Sequence, residues 1–389
     1  MSDLLRLRPA TTPAMLAVFD DGATIAHALA FEAALARAQA AEGLIAATVA
    51  EHIGVVCDEL VIDPAALATE AALAGTLAIP LVKRLRAALD RDGAAAVHFG
   101  ATSQDLADTV LMLQAKAAAA LVLHDCRRVT EALAVRAADH ATRPALGRTL
   151  LQDALPIGFG LRLAQWLSGI DEAARRLARD IDAHAAVQLG GATGTRAKWS
   201  GRGEAVADRV AEALGLTPAL PWHGRRGGVA AIASSLGIVI GALGKMARDV
   251  ALLAQNAIGE AREPEVPGRG GSSAMAHKRN PTGCQIALAA ATRGPGLVAS
   301  VLGGMAQEQE RGLGGWQAEG PVLAELFMIA GGSAEAMAGV AEGLEIDGVA
   351  IDRNLAAAGL GHDVGESSAM VTSILQDFRK TADAVRDTR

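Results

Sequence analysis

The sequence predicts an all-α protein, a long-helix bundle whose core is shared between subunits. Three observations predict it: an Ala-rich composition with few aromatics, three long Pro-free stretches with helical periodicity, and one uncharged run fit for burial on every side. Of 389 residues, 51% are apolar and 20% charged, while aromatics supply only 3% and Tyr is absent. Ala is the best helix former. An all-β fold would need Val, Ile, Thr and aromatics instead, and a disordered chain would hold far fewer apolar residues.

Residues 1–104 read as a first helical domain, closed by the polar break from Gly100 to Gln104. Asp105 to Asp139 is the first long Pro-free stretch, and Lys116 is the only charge between Thr109 and His124, so its middle is expected to be buried. In the second stretch, Leu163, Leu167, Ile170, Ala174, Leu177 and Ile181 keep the three-four spacing of one helical face. Asp171/Arg175 and Glu172/Arg176 are i,i+4 pairs on the other side. A helix over residues 161–188 follows, ended by Gly190-Gly191. The third stretch, Val229 to Gly259, joins onto the uncharged run from Gly227 to Gly244. That run reaches the length of a membrane span. Gly, Ala and Ser dilute its apolar residues, and no second uncharged run accompanies it. It therefore reads as a helix buried at the centre of a bundle, with no membrane contact. Helices this long are hard to bury in one compact monomer, which predicts a bundle over 105–345 shared between subunits. Residues 346–389 form a short helical tail.

Charge and motif content exclude several functions. Lys and Arg total 36 against 43 Asp and Glu, a net charge of −7, so no global positive field attracts nucleic acid. Cys57, Cys126 and Cys284 lie far apart with no CxxC, which argues against disulfides and zinc ribbons. His27, His52, His124, His140, His184 and His362 are scattered, without HExxH, and read as surface or structural residues. GxGxxG, GxxxxGK[ST] and GxSxG are absent, which argues against a nucleotide-binding loop and a hydrolase elbow. Trp199, Trp222 and Trp316 read as core. No apolar run follows the N-terminus, so a cytoplasmic protein without a signal peptide is expected.

The chemistry concentrates in Gly268-Arg-Gly-Gly-Ser-Ser-Ala-Met-Ala-His-Lys-Arg-Asn-Pro281. Three glycines in four positions predict a mobile loop. Hydroxyls, cations and an amide follow, and Asn280-Pro281 reads as N-cap and first residue of the next helix. Such a loop would offer an anion both cations and a helix N-terminus; a solvated basic loop is the alternative reading.

The segment from Gly271 to Pro281 resembles the GSSxMPxKxNP signature of the fumarase/aspartase superfamily, with Ala276 where Pro is usual. Val97-His-Phe-Gly-Ala-Thr-Ser-Gln-Asp105 resembles its first signature region and Gly147-Arg-Thr-Leu-Leu-Gln-Asp-Ala-Leu-Pro156 its second. The likeness runs from about Val18 to about Arg311. Within the superfamily, HFGATSQD, PLVKRL at 80–85, Pro221-Trp-His223, and Glu310-Arg311 with Gly315-Trp-Gln-Ala-Glu319 resemble the 3-carboxy-cis,cis-muconate cycloisomerase branch.

This resemblance implies a homotetramer whose sites combine regions of three subunits, use no metal or organic cofactor, and act on a small polycarboxylate. It implies Ser272 as the catalytic residue, with Lys278 and Asn280 beside a substrate carboxylate and Thr102 and Ser103 on another. His98 and Thr149 would line the pocket, and Arg311 would bind substrate. The expected reaction interconverts 3-carboxy-cis,cis-muconate and a carboxymuconolactone in the protocatechuate branch of the β-ketoadipate pathway of aromatic catabolism. It proceeds by carboxylate addition to a double bond through an aci-carboxylate.

Leu150 and Asp153 stand where relatives carry histidines. A lyase expelling an amine would miss that general acid, whereas a carboxylate of pKa around 4 leaves without a proton. Two alternatives stay open: an adenylosuccinate-lyase-like β-elimination enzyme, and a helical structural or binding protein without catalysis. Asp153 is also spaced to pair with Arg148.

Overall fold

The computed structural model describes residues 4–271, 274–275 and 278–387, with side chains to residue 380. Seven helices form the first region: α1 (Leu4–Leu7), α2 (Pro13–Val18), α3 (Asp21–Ala41), α4 (Ala47–Glu59), α5 (Pro64–Ala74), α6 (Ala78–Ala87) and α7 (Arg91–Ala96). Aspartates start several of them. Asp20 accepts from Ala23 N at 2.7 Å and Asp90 from Gly93 N at 2.8 Å, each satisfying an otherwise orphaned helix donor.

The long helices follow: α8 (Ser103–Asp139), α9 (Phe159–His184), α11 (Gly227–Leu253), α12 (Thr282–Gly303) and α13 (Gly315–Gly343), with the shorter α10 (Gly203–Leu214) before α11. They close a ring in which α8 packs on α9, α9 on α11, α11 on α12, α12 on α13, and α13 on α8. Between α8 and α9 the chain forms an antiparallel hairpin, β1 (Pro144–Thr149) with β2 (Gln152–Gly158). Two short strands, β3 (Ala261–Arg262) and β4 (Glu345–Ile346), pair beside the bundle before α14 (Gly348–Ala357) and α15 (Ser367–Asp387).

The expected all-α class holds, with boundaries moved. The helix expected over 161–188 spans Phe159–His184, and the stretch expected to reach Gly259 ends at Leu253. Gly190 and Gly191 lie beyond the helix and donate their amides elsewhere. The uncharged run is not alone in its apolarity. Helices α8, α12 and α13 are, like α11, long and apolar enough to cross a membrane. A lone charge such as Lys116 does not interrupt the apolar character of a helix of that length.

Small residues set the interhelical spacing. A Cβ on Gly244 of α11 would meet Ala291 Cβ of α12 at 2.6 Å, so any larger residue would push the pair apart. Buried apolar residues gather in two clusters. The larger fills the ring of long helices, from Met112 and Leu163 to Leu243 and Phe327. The smaller joins Phe31, Ile53, Leu81 and Leu106 to Val187, Trp199 and Val210 from mid-sequence.

Candidate active site

The first signature region makes the turn into α8. His98 and Gly100 both have positive φ, 59° and 77°. At Gly100 this is cheap, and a side chain would strike Trp199 at 2.5 Å. At His98 the left-handed backbone is strained for a residue with a Cβ, a feature that clusters at functional positions. Phe99 O holds the turn by accepting from Gln39 Nε2 at 2.6 Å and Trp199 Nε1 at 3.2 Å.

Thr102 is the N-cap of α8, and its backbone N–H donates to Asp105 at 3.0 Å. The buried Asp105 carboxylate accepts three further bonds: from Gly190 N and Gly191 N at 2.9 Å each, and from His223 Nε2 at 2.8 Å. It joins the turn to a loop far along the chain. One turn further, the buried Arg226 bonds Asp108 through both Nη atoms at 2.8 and 3.0 Å and Glu319 through Nε at 2.9 Å. Burial pushes the Glu319 carboxyl up, against the pull of Arg226. Trp316 Nε1 donates to Asp108 at 2.9 Å and borders a cavity beside these groups, so it is not the plain core residue expected.

Arg311 reaches this turn. Its Nη1 donates to Thr102 Oγ1 at 2.8 Å and its Nη2 to Ala192 O at 2.9 Å, joining two residues that the resemblance had marked. His98 and Ser103 line a cleft of about 340 Å³ together with Lys83 and Arg86 of α6. Behind His98 lies Glu32, fully buried, with Oε1 2.6 Å from Nδ1. Burial disfavours a charge on the imidazole, but Glu32 and then Asp105 outweigh burial and Arg86, and hold its pKa above the usual value.

Ser272, the expected catalytic residue, and its neighbour Ser273 lie outside the described residues. Lys278 and Asn280 lie in the loop before α12. Lys278 is exposed, and Asn280 Nδ2 donates to Gly271 O at 3.3 Å. Arg279 anchors the segment on Glu345 at 3.0 Å and on Glu263 O at 2.8 Å. The Arg279 and Arg262 guanidiniums hold the Glu345 carboxyl down at about 2.

Asn280-Pro281 do not start the helix as expected. Pro281 is the N-cap and Thr282 the first helical residue. Nor is the helix N-terminus open to a ligand. Glu263 accepts from Gly283 N at 3.0 Å and Cys284 N at 2.6 Å, so the protein's own carboxylate occupies it.

Thr149 sits exposed at the end of β1, paired with Gln152, and its side chain has no hydrogen-bond partner among the described residues. Within one chain it is not brought to the Thr102 group. Arg148 Nε lies 3.9 Å from Asp153, the pairing the spacing suggested, but its closer partner is Glu260 at 2.6 Å.

Several site-building residues escaped the sequence reading: Glu32, Lys83, Arg86, Asp105, Asp108, Arg226 and Glu319. Four carried a signal: Glu32 is the only charge in the apolar run from Ala28 to Ala36, and Lys83, Asp105 and Glu319 fall inside the PLVKRL, HFGATSQD and GWQAE segments.

A model of the lyase family matches residues 9–296. The 3-carboxy-cis,cis-muconate cycloisomerase of Pseudomonas aeruginosa is 44% identical over 372 residues, covering 95% of this chain and 80% of that protein. A nitrosuccinate lyase of Streptomyces davaonensis is 39% identical, covering 96% and 81%. The crystal structure of 3-carboxy-cis,cis-muconate lactonizing enzyme from Pseudomonas putida superposes with a TM-score of 0.84 at 36% identity, covering 100% of this chain and 89% of that one.

Proposed function

Given that the chain belongs to the lyase family, within the fumarase/aspartase superfamily, we propose that it is a 3-carboxy-cis,cis-muconate cycloisomerase. It interconverts that tricarboxylate with a carboxymuconolactone. The observation that carries the reading is the convergence of Arg311 on Thr102 beside the cleft of His98 and Ser103. A hydroxyl beside a guanidinium is what the binding of a substrate carboxylate would need.

In the forward direction an oxygen of one substrate carboxylate bonds to a carbon of the conjugated system. The π electrons of that double bond move onto the neighbouring carbon and its own carboxylate, giving an aci-carboxylate. Lys278 and Asn280 stabilise the added charge on those oxygens. Ser272 then delivers a proton to the carbon, and takes it back in the reverse reaction. Thr102, Ser103 and Arg311 hold another carboxylate, with the His98 imidazole, its pKa raised by Glu32, beside them.

In reverse the departing group is a carboxylate that needs no general acid, which suits a hairpin with Leu150 and Asp153 in place of histidines. Thr149 enters the site from a second subunit of a cytoplasmic homotetramer. The exposed Leu150, Leu151 and Leu155 of the same hairpin support that docking, since they are 94%, 79% and 78% accessible in one chain. A β-elimination reading is favoured by one observation, the similarity to nitrosuccinate lyase.

The test follows the ultraviolet absorbance of 3-carboxymuconate, with adenylosuccinate and argininosuccinate in parallel. Loss of the diene absorbance is expected, and turnover of adenylosuccinate alone would overturn the reading. Ser272→Ala should lose roughly a hundredfold or more in kcat while retaining substrate binding. Near-normal turnover in that variant would move the proton transfer to another group.

A further inference from the structure

One wall of the cleft has no role in the reaction just described. Lys83 and Arg86 lie three residues apart on α6, so both project to one face, and both line the cleft with His98 and Ser103. The remaining lining, Ala78, Ile79 and Val82, is apolar, and no carboxylate lines it. Neither cation forms an ion pair among the described residues. Arg86 Nη2 donates to Val97 O at 3.2 Å, which ties the guanidinium to the turn that carries His98. The Arg86 charge acts directly against a charge on His98. Like charges are thus gathered around a concave, partly apolar surface without a protein counter-charge inside it. An anion entering the cleft would meet these cations without competition from a carboxylate in its lining.

We propose that Lys83 and Arg86 are specificity-determining residues that bind the substrate carboxylate taking no part in the bonding changes. This inference rests on the reading of the site as one for 3-carboxymuconate. Of that substrate's three carboxylates, one attacks and one takes up the electron pair on its carbon. The third is a spectator, and it distinguishes the substrate from plain cis,cis-muconate. A cationic wall beyond Thr102 and Arg311 is where such a group gains charge-assisted hydrogen bonds.

The experiment measures kcat/KM for 3-carboxy-cis,cis-muconate and for cis,cis-muconate in the wild type, Lys83→Met, Arg86→Met and the double variant. The wild-type preference for the tricarboxylate should fall roughly tenfold or more in each single variant, mainly through KM, and further in the double. Lys83→Arg, which keeps the cation, should retain most of it. An unchanged preference, or equal losses on both substrates, would overturn the proposal.

Calorimetry supplies an arm independent of turnover, comparing propane-1,2,3-tricarboxylate with glutarate. Tighter binding of the tricarboxylate by the wild type, lost in Lys83→Met, is the expected result. Equal affinities for the two acids in the wild type would sink the subsite even if 3-carboxymuconate is turned over. Selective binding without turnover would instead locate the failure in the assigned reaction.

Discussion

At the level of single residues, the site depends on partners that hold side chains in one charge state and one direction. His98 sits on strained backbone, with the fully buried Glu32 at 2.6 Å from its Nδ1. The Glu32 charge keeps the imidazole pKa above 6.5 despite burial and Arg86. Glu32→Gln removes that charge, leaving only Asp105 against burial and Arg86, so the His98 pKa should fall. An NMR titration of the ring protons checks this, and an unmoved pKa would contradict the assignment. The effect on stability has a definite sign. A group with a raised folded pKa stabilises fully below its unfolded value and loses that contribution as pH rises through the folded one. The wild type should therefore exceed Glu32→Gln by about 1–3 kcal/mol in mildly acidic solution. The advantage should shrink as pH rises from 6.5 through the raised His98 value, as read by urea denaturation at several pH values.

Among the elements, the β1–β2 hairpin combines strain with exposure. Leu150 and Leu151 at its tip both have positive φ, 52° and 64°. That turn normally takes Asn-Gly or Gly-Gly, and the left-handed region costs a residue with a Cβ about 1–2 kcal/mol. Two leucines held this way and left in solvent are understandable if a second copy covers them. Asp153 lies 3.9 Å from Arg148 and is 63% exposed, so its electrostatic contribution is small. Asp153→His should bring no gain in kcat/KM on the muconate and lactone pair, and Asp153→Asn should stay within about twofold of wild type. A large gain for the His variant with a pH dependence near 6.5 would reveal a missing acid instead.

For the whole molecule, the unsolved matter of one chain is its apolar surface. Helix α12 buries only a small part of itself, with Cys284, Ala287, Ala290 and Val301 turned inward and Ala289, Pro295, Ala299 and Leu302 left outside. Ile238 of the uncharged run in α11, expected to be buried, is 42% accessible in the single chain. Those faces are the surfaces that the proposed tetramer would cover, with small residues letting helices of different subunits approach closely. Ile238→Asp would place an unpaired charge in such an interface, at a cost of several kcal/mol. Sedimentation should show it dissociated or poorly folded. A fully active wild-type monomer would refute both the interface and the shared site.

The sequence by itself determined the helical class, because that is written locally, and it offered candidate site residues only where they fall in short contiguous segments. Ala-rich segments with three-four spacing can bury one face only as helices, and Thr102, Ser103, Lys278 and Asn280 belong to short contiguous segments. The tertiary structure alone decided which distant residues complete them. Arg311 meets Thr102 from 209 positions away, Glu32 meets His98 across 66, and Glu263 caps α12 across a loop. The division of the chain at 104 and 345 is likewise a matter of packing, since residues between Val187 and Ala211 join the core of the first helices. Periodicity says which face of a helix is apolar, but not which helix will lie against it. The partner of a buried charge is set by that packing, because an ion pair needs its two groups within about 4 Å in space, whatever their separation along the chain.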